Sequence, residues 1–144
     1  MWIIYALSAS VIWGANYVIY ERLLKHISYT SLYIIDAFFT IIVWALLAYY
    51  SGSFSKDLST VQHAKNIQLL IAVNILTAIL ANIFIALSIQ AKKATLSGMI
   101  EISYPLFIIL LGWLFFRESH LNLSVLIGGC FIFSGVFIIY FFNR

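Results

Sequence analysis

Two acidic residues lie inside apolar segments of the chain, and their side chains are the best suited to chemistry. Asp36 lies in SLYIIDAFFTII, with Thr40 four residues later and so on the same helix face, and Glu101 lies in LSGMIEISYPLF. An ionisable residue within a membrane costs at least ~2.5 kcal/mol and normally faces a bundle interior or a water-filled cavity. Each acid is therefore a candidate to carry a proton or to bind a cationic compound. The alternative is that each, as a neutral acid, hydrogen-bonds a neighbouring helix.

Six polar or aromatic residues of the same apolar segments are candidates to line a cavity with the acids. Asparagine side chains either hydrogen-bond across helices or line such a cavity. Aromatic rings offer walls against a bound cation. These candidates are Asn16, Asn74, Asn82, Trp13, Tyr17 and Tyr104.

The apolar segments that carry these residues are long enough to cross a membrane. Hydrophobic residues make up 64% of the 144 residues and charged residues 9%, whereas soluble domains have about 25% charged residues. We therefore predict an all-α integral membrane protein, a bundle of five transmembrane helices forming one domain over residues 1–144. A span needs ~20 residues for ~30 Å of hydrocarbon, and the runs near that length are 2–20, 30–50, 67–90, 94–116 and 121–142.

Proline and glycine positions indicate where these helices bend or approach one another. Pro105 follows Glu101 by four residues, so it cannot donate a hydrogen bond to the carbonyl of residue 101 and is expected to kink the fourth helix. Small residues three or four positions apart allow close helix packing, which is a commoner role for them than ligand binding. The glycines assigned to this structural role are Gly14, Gly98, Gly112, Gly128 and Gly135.

The residues between the spans carry few signals of chemistry. His26, His63 and His120 lie far apart, without Cys or carboxylate partners at ligand spacing, and Cys130 is the one cysteine, so we predict no metal site. No nucleophile with a base is visible, so we expect neither an enzyme nor a cofactor. The net charge of +3 is spread over several connections, which argues against a nucleic-acid partner.

The connections also indicate how the chain enters the membrane. Residues 51–66, with Gly52 and a cluster of serines, are predicted to form a polar extramembrane loop. A weak excess of Lys and Arg favours a cytoplasmic C-terminus. Three basic residues would lie on one side and five on the other, namely Lys56, Lys65 and Arg117 against Arg22, Lys25, Lys92, Lys93 and Arg144.

Two stretches resemble the EamA type of the drug/metabolite transporter superfamily. The first span is similar to the family's opening helix, with Trp13 and Gly14 followed by Asn16 and Tyr17. Residues 86–142 resemble the family's most recognisable region, in which SYPLF, LGWLFFRES and LIGGCFIFSGVFIIY follow one another. The resemblance covers essentially the full chain. One departure is Asp36, where many relatives carry a basic residue.

The resemblance implies a transporter that exports or exchanges small metabolites or amphipathic compounds, and we expect coupling to protons through Glu101 or Asp36. Full-length members carry two such repeats, so the chain corresponds to one half of a ten-helix inverted-repeat transporter. An odd number of spans places the termini on opposite sides, and we therefore expect an antiparallel homodimer or pairing with a second five-span chain. The expected location is the lipid bilayer of a prokaryotic plasma (inner) membrane.

Two further functions stay open at this point. One is a flippase-like or accessory subunit for a lipid-linked substrate, and the other is a noncatalytic half-transporter or scaffold. Glu118, beside Arg117 at the membrane edge, is assigned a structural role in an ion pair or a helix-end contact.

Overall fold

The computed structural model describes residues 1–117 and 122–143, and these residues are almost entirely helical. Glu118, His120 and Arg144 lie outside the described residues. No strand occurs in the described ranges. In chain order the elements are α1 Trp2–Leu23, α2 Tyr29–Ser51, α3 Phe54–His63, α4 Lys65–Ala91, α5 Ala94–Glu101, α6 Tyr104–Leu111, a π-helix Gly112–Phe116 and α7 Leu123–Phe142.

Five stretches of the described chain are long and apolar enough to span a membrane, which confirms the predicted fold class. Their large apolar side chains point outward, as Phe39 (62% exposed), Trp44 (65%) and Phe131 (75%) illustrate. Such exposure is stable only against lipid, because water would penalise so much apolar surface. The spans are Trp2–Leu23, Tyr29–Ser51, Lys65–Ala91, Ala94–Phe116 and Leu123–Phe142.

The chain divides into two compact units, Met1–Tyr20 with Ala91–Arg144, and Glu21–Gln90. The first unit buries Tyr20, Ala94, Ser97 and Gly129 among its described residues. The second buries Leu32, Ala86 and Ile89. The assignment of residues 1–144 to a single domain stays a prediction.

Within the second unit, one side-chain hydrogen bond joins α2 to α4. The hydroxyl of Tyr33 donates to the backbone carbonyl of Asn82 over 2.8 Å. Backbone carbonyls inside a helix already accept one hydrogen bond but have a second lone pair. The bond therefore links the two spans without interrupting either helix.

The segment predicted as a polar extramembrane loop contains the ten-residue helix α3, so the predicted loop conformation was wrong, while α3 is not among the candidate membrane spans of the described residues. Phe54, Leu58 and Val61 recur at intervals of four and three residues and share one face of α3. The amide of Gln68 on α4 donates to the carbonyls of Val61 (2.9 Å) and Gln62 (3.2 Å). It satisfies carbonyls that the end of a helix leaves without partners. The serines that suggested a loop instead surround the start of this helix.

The fourth span is interrupted near its middle. α5 ends at Glu101, Ile102 and Ser103 form a turn, and α6 starts at Tyr104 with Pro105 in its first turn. Proline has no N–H and is well tolerated in a first turn, but not in a helix interior. The expected kink therefore takes the form of a short turn between two helices, in which Ile102 and Ser103 keep right-handed helical φ/ψ values.

The same span ends in a π-helix, which the sequence pattern did not indicate. The five residues Gly112–Phe116 follow α6 directly, and Arg117 ends the helix with φ 57°. Its N–H donates to the carbonyl of Trp113 over 3.1 Å. Single π-helical turns inside α-helices often occur at functional sites.

Gly52 is expected to tolerate few replacements because it ends α2 in the left-handed region, with φ 64° and ψ 5°. A side chain with a Cβ is unfavourable there. We expect Gly52→Ala to lower the free energy of unfolding by about 1 kcal/mol, and Gly52→Asn to lower it less because asparagine adopts this conformation more readily. Unfolding titrations in mixed detergent micelles measure both. Equal stability of Gly52→Ala and the native protein would contradict the assignment.

Candidate functional site

The hydroxyl of Tyr17 on α1 donates a hydrogen bond to the carboxylate of Glu101 at the end of α5. The two residues lie 84 positions apart in the sequence. Tyr17 is half-buried, and Glu101 is exposed. Because Glu101 is the last residue of α5, the bond connects the first span to the fourth where the fourth is interrupted.

Gly98, one turn before Glu101, leaves space for the ring of Tyr17. A Cβ at position 98 would lie 3.3 Å from Cδ2 and 3.5 Å from Cε2 of that ring. The shorter separation is tighter than ordinary van der Waals contact. The missing side chain at position 98 thus lets the ring approach α5, and the ring in turn places its hydroxyl at the carboxylate.

The break provides two helix ends of opposite polarity beside Glu101. α5 ends at Glu101 and α6 begins at Tyr104, so a helix C-terminus with partial negative charge and a helix N-terminus with partial positive charge follow each other closely. The N–H of Ile102 donates to the carbonyl of Gly98 over 3.1 Å. Ile102 and Ser103 keep right-handed helical φ/ψ values, so the interruption is one turn long; interrupted spans occur where many transporters bind cargo and ions.

Aromatic residues lie on both sides of the acid along the chain. The rings of Trp13 and Tyr17 meet edge to face, with centroids 6.1 Å apart and planes at 70°, a favourable geometry for an aromatic pair. Trp13 is 61% exposed and Tyr104 is 57% exposed. Asn16, next to Tyr17 in sequence, is exposed as well. The first unit therefore contains one acid, one amide and three aromatic residues from the predicted set.

The other predicted polar residues belong to the second unit. Asp36 is exposed, and its carboxylate has no hydrogen bond or ion pair with any described residue. Asn74 and Asn82 are exposed too, and each accepts through its backbone carbonyl, from Thr77 over 3.0 Å and from Tyr33 over 2.8 Å respectively. A cavity common to all eight candidates stays a prediction.

The glycines predicted to permit close packing differ in their surroundings. Among the described residues, a Cβ would meet no atom within 4 Å at Gly14, Gly112, Gly128 or Gly135. At Gly129, which is not among the glycines predicted to pack, a Cβ would lie 2.8 Å from Cδ2 of Leu106. The prediction named its neighbour Gly128, because spacing along a helix does not reveal which of two adjacent glycines faces another helix.

One contact of the second unit, the hydrogen bond from Tyr33 to Asn82, has no simple signal in the sequence, because one tyrosine among nine carries no distinguishing pattern. No group of three or more His, Cys, Asp or Glu residues is placed to hold a metal ion within the described ranges.

The link between Tyr17 and Glu101 is testable by a double-mutant cycle on unfolding. We expect Tyr17→Phe and Glu101→Ala to show a coupling free energy of about 0.6 kcal/mol, the size typical of hydrogen bonds between membrane helices. Tyr5 on the same helix is 72% exposed and provides the matched control, since Tyr5→Phe should be additive with Glu101→Ala. Additivity in both cycles would contradict the bond.

Comparison with known proteins agrees with these features. The model of the EamA-like transporter family matches residues 1–141, nearly the whole chain. No curated protein and no solved structure matches the chain. The matched range includes all five spans, the interrupted fourth span and the acid that accepts from Tyr17. The chain belongs to the EamA-like transporter family and is thus an integral, multi-pass membrane protein of a family of small-molecule transporters.

Proposed function

We propose that this transporter exports or exchanges small metabolites or amphipathic compounds as a dimer in the plasma (inner) membrane of a prokaryote, and that Glu101 couples transport to protons. The hydrogen bond between Tyr17 and Glu101 at the interrupted fourth span carries the proposal. It combines an acid at membrane depth, a polar partner on another helix, and helix ends next to the acid.

The depth of Glu101 suits a proton carrier. It is the eighth residue of the span that begins at Ala94, so it lies roughly 10 Å along that span at 1.5 Å per residue. Acids at such depth are costly unless they face water, a partner or cargo. A carboxylate there that exchanges a proton with one side and then the other would couple proton movement to cargo.

Tyr17 gives the acid a defined resting partner. Its hydroxyl donates to the carboxylate, so an amine of the cargo would compete with that hydroxyl for the same oxygen atoms. A proton on Glu101 would likewise weaken its interaction with a cationic cargo. Proton and cargo would therefore exclude each other at one site, which is the requirement for exchange.

The surroundings favour cargo that has both an apolar part and a cationic or amine group. Trp13 and Tyr17 form an edge-to-face pair beside the acid, and aromatic faces attract cations as well as apolar surface. Asn16 adds an amide that donates and accepts hydrogen bonds. An amphipathic amine would contact the aromatic rings with its apolar part and the acid or the amide with its amine.

The exposed polar residues within the spans support a dimer. Asp36 is the eighth residue of α2 and has no side-chain partner among the described residues. A charged residue facing lipid costs ~2.5 kcal/mol or more. Asn74 and Asn82 are exposed in a span as well. A second copy, or a second five-span chain, would cover these residues and enclose a pathway.

Proton coupling through Glu101 is tested by flux in proteoliposomes across a panel of small metabolites and amphipathic amines. We expect Glu101→Gln, which keeps the size of the side chain but cannot release a proton, to reduce proton-driven flux by at least about a hundredfold, the lower end of what a positioned proton-transfer group contributes. Asp57→Asn on α3, outside the spans, is the matched control and should leave flux unchanged.

Other results of that assay would contradict parts of the proposal. Equal flux in Glu101→Gln and the native protein would remove the proton role from Glu101, and loss of flux in Asp36→Asn alone would transfer it to Asp36. No flux of any compound with the native protein would contradict transport by this chain alone.

The dimer is tested by reconstituting mixtures of native protein and Glu101→Gln. If both copies of a symmetric dimer must be intact, an equal mixture should retain about a quarter of the native flux, because only that share of random dimers is fully native. A monomeric transporter would retain about half. Flux measured over several mixing ratios separates the two curves, and a straight line would contradict the dimer.

A further inference from the structure

We propose that the groove between α6, the π-helix and α7 binds one acyl chain of a membrane phospholipid, with the phosphate of that lipid beside Arg117. The inference concerns the first unit alone and does not depend on transport. It rests on the lining, the length and the charge at the outer end of the groove.

The groove is apolar and has the size of a ligand pocket. Its volume is about 520 Å³, within the usual range of ligand sites. The polar groups of its lining side chains are the thiol of Cys130, the indole N–H of Trp113 and the hydroxyl of Ser134, which donates to the backbone carbonyl of Cys130 over 2.8 Å. The groove therefore offers little to a polar ligand. Its walls include Leu106, Ile109 and Trp113 on one side and Val125, Gly129 and Phe133 on the other.

The length of the groove matches one leaflet of a bilayer. Along α7 the lining runs from Val125 to Ser134, which is roughly 14 Å at 1.5 Å per residue. The hydrocarbon of a whole bilayer is ~30 Å thick. Val125 lies near the start of α7 and Ser134 near its middle. A groove of this extent fits a lipid chain that reaches the midplane, whereas a transmembrane helix of a second copy would need a groove along the whole span.

Two local features shape the groove. Gly129 is buried, and a Cβ there would lie 2.8 Å from Cδ2 of Leu106, so its missing side chain allows the two walls to approach at the floor. The π-helix begins at Gly112 and carries Trp113 at the outer end. Tryptophan is enriched at the level of lipid head groups.

The charge at the outer end selects a phospholipid over an uncharged apolar ligand. Arg117 follows Trp113 by one turn, and its N–H donates to the carbonyl of Trp113 over 3.1 Å. Its side chain is exposed. A guanidinium group binds phosphate oxygens through two parallel hydrogen bonds. Arg117 would thus bind the head group of the lipid, next to the groove that holds its acyl chain.

Native mass spectrometry of the detergent-solubilised protein, titrated with phosphatidylglycerol, tests the proposal. We expect one bound lipid per chain. Cys130→Trp fills the groove and Arg117→Gln removes the cation, and each should weaken lipid binding roughly tenfold. The neighbouring Phe131 is 75% exposed and does not line the groove, so Phe131→Trp is the matched control and should bind as the native protein does.

Three results would overturn the proposal. The first is equal lipid binding by all four proteins. The second is that Cys130→Trp separates a dimer into monomers while lipid binding stays unchanged, which would assign the groove to a second copy. The third is that Cys130→Trp stops flux with lipid binding unchanged, which would assign it to the apolar part of the cargo. Because Arg117 lies outside the packed spans, Arg117→Gln keeps the test decisive even if the groove-filling variant does not fold.

Discussion

In hydrocarbon every backbone N–H and C=O group must find its partner inside the protein, because no water is present to replace a missing one. This requirement governs the chain from end to end. It makes the described residues helical, and it makes each departure from a helix expensive. Where a helix is interrupted, neighbouring groups must supply the hydrogen-bond partners that the helix no longer provides. The break before Pro105 in the fourth span is such a place.

The interruption of the fourth span and the position of Glu101 are linked. Pro105 ends helical continuity because it has no N–H to donate, and α5 consequently stops at Glu101. Tyr17 from the first span then donates to the carboxylate, in a position that Gly98 leaves open. A proline, a glycine and a tyrosine thus surround one acid. This combination distinguishes Glu101 from Asp36, whose carboxylate has no partner among the described residues.

Most of the surface of the spans suits contact with lipid, and a few polar residues remain for function, as expected of a transporter of the EamA-like family. Apolar side chains cover most of the outward surface of the spans, while the acids and amides form a small minority at membrane depth. Outside the spans, Gly52 ends α2 and Gln68 holds the end of α3. The connection between the second and third spans thereby contains a helix whose end is hydrogen-bonded to α4.

Sequence by itself determined the five spans, since the length of an apolar run against the thickness of a bilayer is a local property. It also selected Glu101, Asp36 and the proline, because each is unusual in hydrocarbon whatever surrounds it. The short helix α3 was not predicted, because ten mostly polar residues beside a glycine and several serines resemble a loop.

Only the tertiary structure decided which of the candidates meet. A span that is apolar all round has no polar stripe to show which side faces the protein, so its rotation about its own axis is set by packing against neighbours. That rotation brings Tyr17 to an acid 84 residues away. It likewise turns Gly98 and Gly129 toward other side chains, whereas no atom of the described residues lies within 4 Å of a Cβ built at Gly14 or Gly128.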